Sequence, residues 1–340
     1  MNLDKIQGVL FGAAYGDALA APTEFTRDLG LIRQRYAPNG PTTLHGGRVT
    51  DDTQMMLSVG RALLATPTLS ASAAEAGLRR EFVDWLHDPE NTRAPGATCL
   101  QACRNLEHSL ERGGRWQQAT VPISKGCGAN MRVQPAGFIP DAEQRAGYAQ
   151  FQAALTHGHP TGLAAAELTA EAIWLLAGGL SPAELPGALA AHARAQRKNY
   201  REDWLGDLWT QTGDHSPEDY SSRGWDECLK VLGKLESAVQ SGIPADADPC
   251  DFTGEGWIAE EALATGLLCF LLTPSDPVEA LRRAAVTSGD SDSLACLAGA
   301  FAGAHLGIGA FPAEWASQIE YADELTRQSV AFAGRFAALS

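Results

Sequence analysis

Runs of β-branched residues are scarce in this 340-residue chain while Ala and Gly abound, so helices rather than strands are expected. No basic patch is visible and the net charge is −15, which argues against a nucleic-acid partner. No span reaches the roughly 18 apolar residues that a membrane helix needs, so no membrane association is expected. Paired metal-binding cysteines are missing as well. The seven cysteines (Cys99, Cys103, Cys127, Cys228, Cys250, Cys269 and Cys296) are scattered and lack a CxxC spacing, which fits reduced thiols in a cytoplasmic protein. Cys99 and Cys103 lie one helical turn apart, but no histidine completes a zinc pattern, so they are read as helix packing. Ala18-Leu19-Ala20 imitates a signal-peptidase site. Asp4 beside Lys5, and Asp17 just before the would-be cut, argue against a signal peptide.

What remains is a globular composition, 45% hydrophobic and 20% charged, in one large domain. Its chemistry centres on Gly46-Gly47-Arg48-Val49-Thr50-Asp51-Asp52-Thr53. The two glycines break regular structure, Thr50 caps a helix, and Asp51 and Asp52 fall in its first turn. Two carboxylates and a hydroxyl at one helix start are hard oxygen donors, suited to Mg²⁺, Mn²⁺ or Ca²⁺ rather than zinc. The pattern returns late in the chain as Ser288-Gly289-Asp290-Ser291-Asp292-Ser293. Either cluster alone is explained by ordinary capping and helix-dipole chemistry. Two of matching composition point to a shared two-metal site.

Helical spacing predicts helices over about 3–20, from Thr50, and over 70–87, 98–111, 141–155, 161–176, 182–196, 225–240, 257–272, 277–285, 293–306 and 320–338. Residues 27–49 read largely as a loop, broken by Pro38, Asn39, Gly40 and Pro41. Residues 197–223, polar and aromatic with Tyr200, Trp204, Trp209, His215 and Tyr220, read as a surface insertion and a candidate partner surface. Gly8, Gly12 and Gly16 form a stripe matched by Gly299, Gly303 and Gly307, so these two helices are expected to cross closely. Asp17 is expected to be a buried carboxylate bonded to loop backbone. Glu24 by itself would be a solvated loop residue. The small-residue loop Ser124 to Arg132 lets backbone N–H groups approach phosphate, a weak signal taken alone.

Taken together, Gly12 to Leu19 with Glu24, Thr50-Asp51-Asp52-Thr53, Gly126 to Arg132, Thr156-His157-Gly158-His159-Pro160, Trp257 to Leu263 and Gly289 to Ser293 resemble the ADP-ribosylglycohydrolase family. The matching stretches span nearly the whole chain. The resemblance implies an all-α, compact single-domain orthogonal helical bundle over residues 1–340, with a dinuclear Mg²⁺ or Mn²⁺ site in a central cleft. One ion would be held by Thr50, Asp51, Asp52 and Asp292, and the other by Asp290, Asp292 and Ser293. The family has threonine where Ser293 stands. Glu24, Asp52 and Asp292 would carry the catalysis. Ser124, Lys125, Gly126, Gly128, Asn130 and His157 would hold the diphosphate of ADP-ribose.

The expected activity is removal of mono-ADP-ribose from protein side chains, arginine-linked in the first instance. Arginine-specific members often carry Asp near Ala94 or Pro95, so serine-linked ADP-ribose and O-acetyl-ADP-ribose stay open. So does an immunity protein that occludes an ADP-ribosyltransferase toxin, with or without hydrolysis. A class I isoprenoid synthase also uses Asp pairs on helices, but Asp51-Asp52-Thr53-Gln54-Met55 lacks that motif's third Asp.

Overall fold

Residues 1–337 are described by the computed structural model. Among them helices follow in the order α1 (Leu3–Ala20), α2 (Leu29–Arg35), α3 (Asp51–Ala65), α4 (Ala71–Leu86), α5 (Ala97–Glu111), α6 (Ala142–Ala154), α7 (Pro160–Ala177) and α8 (Leu185–Gln196). Then come α9 (Glu202–Leu205), α10 (Pro217–Ser241), α11 (Cys250–Thr253), α12 (Ala259–Leu272), α13 (Pro277–Ala285), α14 (Ser291–Leu306), α15 (Trp315–Gln318) and α16 (Ala322–Ala337). No strand forms among the described residues. Isolated bridges tie Val121 to His157 and Gly126 to Ile258.

The helices sort by how much of their circumference is apolar. Along most of their length α1, α7, α12 and α14 are buried on every side, and they form the centre. Amphipathic α10, α4 and α16 wrap them, each with one buried stripe. The deepest crossing is that of α1 with α14, and the glycine stripes make it. A methyl group on Gly8 would overlap the carbonyl of Gly303, one on Gly12 that of Gly299, and one on Gly16 that of Ala295. The helices therefore run antiparallel with backbones in contact. Because α1 is followed by Glu24 and α14 begins at Ser291, this crossing brings two distant segments to one end of the core.

The stretch 27–49 is largely loop, with one short helix in it: Asp28 accepts from the Leu31 N–H and caps α2 before the Pro-Gly break. The stretch 197–223 is exposed or half-exposed over most of its length, with some of its aromatic groups turned inward. Trp204 occupies the space that a side chain at Gly147 would need, and its ring meets Tyr148 and Phe151. Leu205, Leu208 and Tyr220 are buried, and the Tyr220 hydroxyl donates to the Gly158 carbonyl at 2.7 Å. Trp204 and Tyr220 thus face the core, while His215 stays exposed. Helix α10 also starts at Pro217, well before the expected Trp225, with Ser216 as its cap.

Candidate active site

Three segments converge at the end of the α1–α14 crossing. The first is the N-terminus of α3. Thr50 caps it, its hydroxyl accepting from the Asp52 N–H at 3.3 Å. Asp17 on α1 holds this corner from behind, fully buried. It accepts from the N–H groups of Thr50 (2.9 Å) and Thr53 (3.1 Å) and from the Thr53 hydroxyl (2.6 Å). The second segment is the N-terminus of α14, where Asp290 and Asp292 flank Ser291 and the Ser293 N–H donates to Asp292 at 3.0 Å. The third is the turn after α1. The Thr23 hydroxyl sits 2.8 Å from the Ala285 carbonyl and 3.1 Å from the Ser291 hydroxyl, which bolts the turn to the start of α14 and sets Glu24 beside it. Carboxylate oxygens of Glu24, Asp290 and Asp292 all lie within 4.8 Å of one another.

The cleft they border has a volume of about 360 Å³. Glu24, Asp51, Asp52, Asp290, Asp292 and Ser293 line one wall. Gly126, Cys127, Gly128 and His157 line another, the Ala94-to-Cys99 segment a third, and Phe25 and Trp257 stand at it as nearly parallel rings 6.4 Å apart. Among the described residues no lysine or arginine lines this cleft.

Five carboxylates without a cation cannot all stay charged in low dielectric. Burial raises every one, and the Asp292 charge raises the other four further. Asp51 is pushed up to about 8 and Glu24 to about 9. Asp51 has one partner in the Gly96 N–H at 3.2 Å, but the Oδ2 of Asp52 is buried with none. An orphaned carboxylate oxygen among like charges, all donors being hard oxygens, fits a divalent cation of the Mg²⁺ or Mn²⁺ kind.

The remaining candidates divide. Gly126, Gly128 and His157 reach the cleft. The Ser124 hydroxyl pairs with that of Thr98 at 2.9 Å, and Lys125 is held by Glu227 and Glu260, so its charge is already matched. The Asn130 side chain does not line the cleft. It is fully buried, donating to the Ala259 carbonyl at 3.2 Å and accepting from the Thr169 hydroxyl at 2.7 Å, and so ties its loop to α7 and α12. Phe25, Cys127 and Met131 were not anticipated. A lone aromatic after a loop glutamate, or a cysteine between glycines, carries no signal until the loop is folded. Cys99 and Cys103 are buried free thiols in the packing role expected of them.

The profile of the family described as ADP-ribosylglycohydrolase matches residues 1–340. The chain belongs to the ADP-ribosylglycohydrolase family. It is 28% identical to the zebrafish (Danio rerio) ADP-ribosylhydrolase ARH3 over 95% of this chain and 88% of that one. Similarity to the ADP-ribosyl-[dinitrogen reductase] glycohydrolase of Rhodospirillum rubrum is 27% over 93% and 90% of the two chains. The ADP-ribosylarginine hydrolase Tri1 of Serratia proteamaculans is 28% identical over 49% and 45%. A solved structure titled ADP-ribosylglycohydrolase-related protein complex superposes with a TM-score of 0.63 at 22% identity, covering 98% of each chain, which shows the shared all-α fold. As a member of this family the protein is a hydrolase. Among the described residues no helix is long and apolar enough to cross a membrane.

Proposed function

We propose that the protein hydrolyses the N-glycosidic bond between ADP-ribose and an arginine side chain of a modified protein, with two Mg²⁺ or Mn²⁺ ions. The observation that carries this is the orphaned Asp52 Oδ2 among the five carboxylates that line the cleft. Thr50, Asp51, Asp52 and Asp292 would hold one ion, and Asp290, Asp292 and Ser293 the other. When bound, such a pair orients the two vicinal hydroxyls of the distal ribose and promotes ionisation of an attacking water.

The chain's own groups do the rest. Glu24 adjoins Asp290 and Asp292 and accepts the proton of the water that attacks the anomeric carbon. Its raised pKa reflects burial and the charges of Asp292 and Asp51, and the latter are offset when cations occupy the corner. His157 and the Gly126–Gly128 backbone face the diphosphate across the cleft. Asp17 anchors the Thr50 corner so that its oxygens do not spread.

The arginine linkage is supported by the name of the Serratia relative. Against it stands the Ala94-Pro95-Gly96 lining, which offers no carboxylate to a guanidinium and favours a neutral linkage such as serine. The test is to incubate the protein with arginine-linked and serine-linked ADP-ribosylated substrates and with O-acetyl-ADP-ribose, each with and without Mg²⁺ or Mn²⁺, while measuring free ADP-ribose. Cation-dependent release from the arginine substrate supports the proposal. Release only from another substrate moves the linkage. No release from any of them ends it.

A further inference from the structure

Behind the His157 wall lies a buried cation with no carboxylate in contact. Arg132 is fully buried, and among the described residues none of its hydrogen bonds goes to a carboxylate. Asp51 acts on it only through its charge. Its Nε donates to Gln152 Oε1 and one Nη to the Gln152 carbonyl, both at 2.8 Å. The same Nη donates to the Thr156 hydroxyl at 2.7 Å. The other Nη meets only the sulfurs of Met55 and Cys99, and the guanidinium lies 4.3 Å from the Phe82 ring centre. Gln152 cannot turn its amide, because its NH₂ donates to the Ala129 carbonyl at 2.8 Å. Burying an unpaired charge costs several kcal/mol, so this arrangement calls for a reason beyond packing.

The reason lies in the next bond. Arginine only donates, so the Thr156 oxygen must accept from it. The hydroxyl's single proton then has two takers, His157 Nδ1 at 2.8 Å and the Ala153 carbonyl at 3.3 Å. The Ala153 carbonyl already accepts from the N–H groups of Thr156 at 3.1 Å and His157 at 2.8 Å. The geometry therefore favours His157 Nδ1 as the taker of the proton, from a hydroxyl that the guanidinium polarises. The converse, an Nδ1–H donating to the hydroxyl's second lone pair, is what the NMR test below detects. With its Nδ1 lone pair engaged, a neutral His157 carries its ring proton on Nε2. That nitrogen faces the cleft wall, 3.3 and 3.4 Å from where side chains at Gly126 and Gly128 would begin. Burial and the Arg132 charge keep the ring neutral, pushing its pKa down to about 3.

We propose that Arg132 is a positioning residue that acts through Thr156 to hold His157 as the neutral Nε2–H tautomer, a hydrogen-bond donor aimed at an anionic group in the cleft. Under the reading of the preceding section, on which this last step rests, that group is the ADP-ribose diphosphate. The cleft is then polar in two senses. Its acidic corner takes cations and sugar hydroxyls, and the opposite wall turns the His157 N–H, with the buried guanidinium behind it, toward phosphate. In this form His157 cannot serve as a general base.

The test is ¹⁵N-histidine NMR of the ligand-free wild-type protein from about pH 5 to 8, with His157→Gln to assign the signal. It is followed by ADP-ribose titration and turnover of the wild type, Thr156→Val and Thr156→Ser. The wild type should show a neutral, Nε2-protonated His157. Thr156→Val should lose that bias and weaken ADP-ribose binding about tenfold, the scale of one hydrogen bond to a charged group, raising KM more than it lowers kcat. Thr156→Ser should restore both. An Nδ1-protonated His157 in the wild type overturns the relay, whether or not the valine variant folds. So does a valine variant with wild-type tautomer and affinity. A wild type that shows the Nε2–H tautomer but does not bind ADP-ribose overturns the substrate reading and leaves the relay standing.

Discussion

Two clusters of buried charge in this molecule behave in opposite ways. Around Glu167, opposite charges meet: its carboxylate takes His192 Nε2 at 2.7 Å and Arg201 at 3.3 Å, while Gln150 donates at 2.6 Å and Arg201 also reaches Glu143. Burial would raise the Glu167 pKa, but His192 and Arg201 outweigh it and the result is lowered. Burial would likewise lower His192, and Glu167 outweighs it. At the acidic corner nothing outweighs burial, and the like charges add to it. One cluster is complete in itself and holds α6, α7, α8 and the 201 segment together. The other is incomplete until something positive arrives. Burial and charge alone do not mark a site, whereas unmatched charge does.

The sharpest way to break the comparison is to remove one carboxylate from each. Asp292→Ala or Asp52→Asn should lower ADP-ribose release on the order of 10²–10³-fold while leaving the melting temperature of the chelated protein unchanged or higher, since a repulsion is relieved. Cutting the paired cluster should do the reverse. Arg201→Met should cost about 3 kcal/mol in urea unfolding with kcat per folded molecule retained. Equal destabilisation by both variants would erase the distinction.

A smaller effect probes the frame that holds the corner. Gly303→Ala pushes a methyl into the Gly8 carbonyl and should cost about 1–3 kcal/mol. It should also weaken Mn²⁺-induced thermal stabilisation, as the two acidic segments separate. Stability loss with unchanged Mn²⁺ response would show that the crossing does not set the corner.

The gentlest probe is pH. The folded pKa values at the corner are raised, so the folded chain holds more protons than the unfolded one above about pH 4. The stability they contribute is present below that value and is lost as pH rises through about 8 for Asp51 and about 9 for Glu24. Glu167 has the opposite sign: its contribution is present above the ordinary carboxylate range and is lost as pH falls through its lowered value. Thermal melts in chelator should therefore fall between pH 5 and 9, less steeply in Asp51→Asn, and Mn²⁺ should flatten the wild-type slope. A chelated slope unaffected by Asp51→Asn would remove the corner as its source.

Much of this was legible in the residues because local chemistry wrote it. Thr50 caps its helix as the sequence predicts, and the glycine stripes met because only bare backbones approach so closely. Asp17 proved to be the backbone anchor expected of it. What stayed hidden depended on direction. Asn130 and His157 both sit near the small-residue loop, yet one side chain turns into the core and the other toward the cleft. Helix α2 was masked by the Pro-Gly break after it, and the start of α10 by an aromatic stretch that packs inward.

The α1–α14 crossing also dictates an order of assembly. The helix synthesised first meets a partner made nearly a whole chain later, so a nascent polypeptide has no catalytic centre for most of its time on the ribosome. Contacts of such sequence separation close slowly, and until then an almost wholly apolar first helix stands uncovered. For that interval the helix's apolar surface is open to water, and the acidic corner it helps to frame has no partner segment.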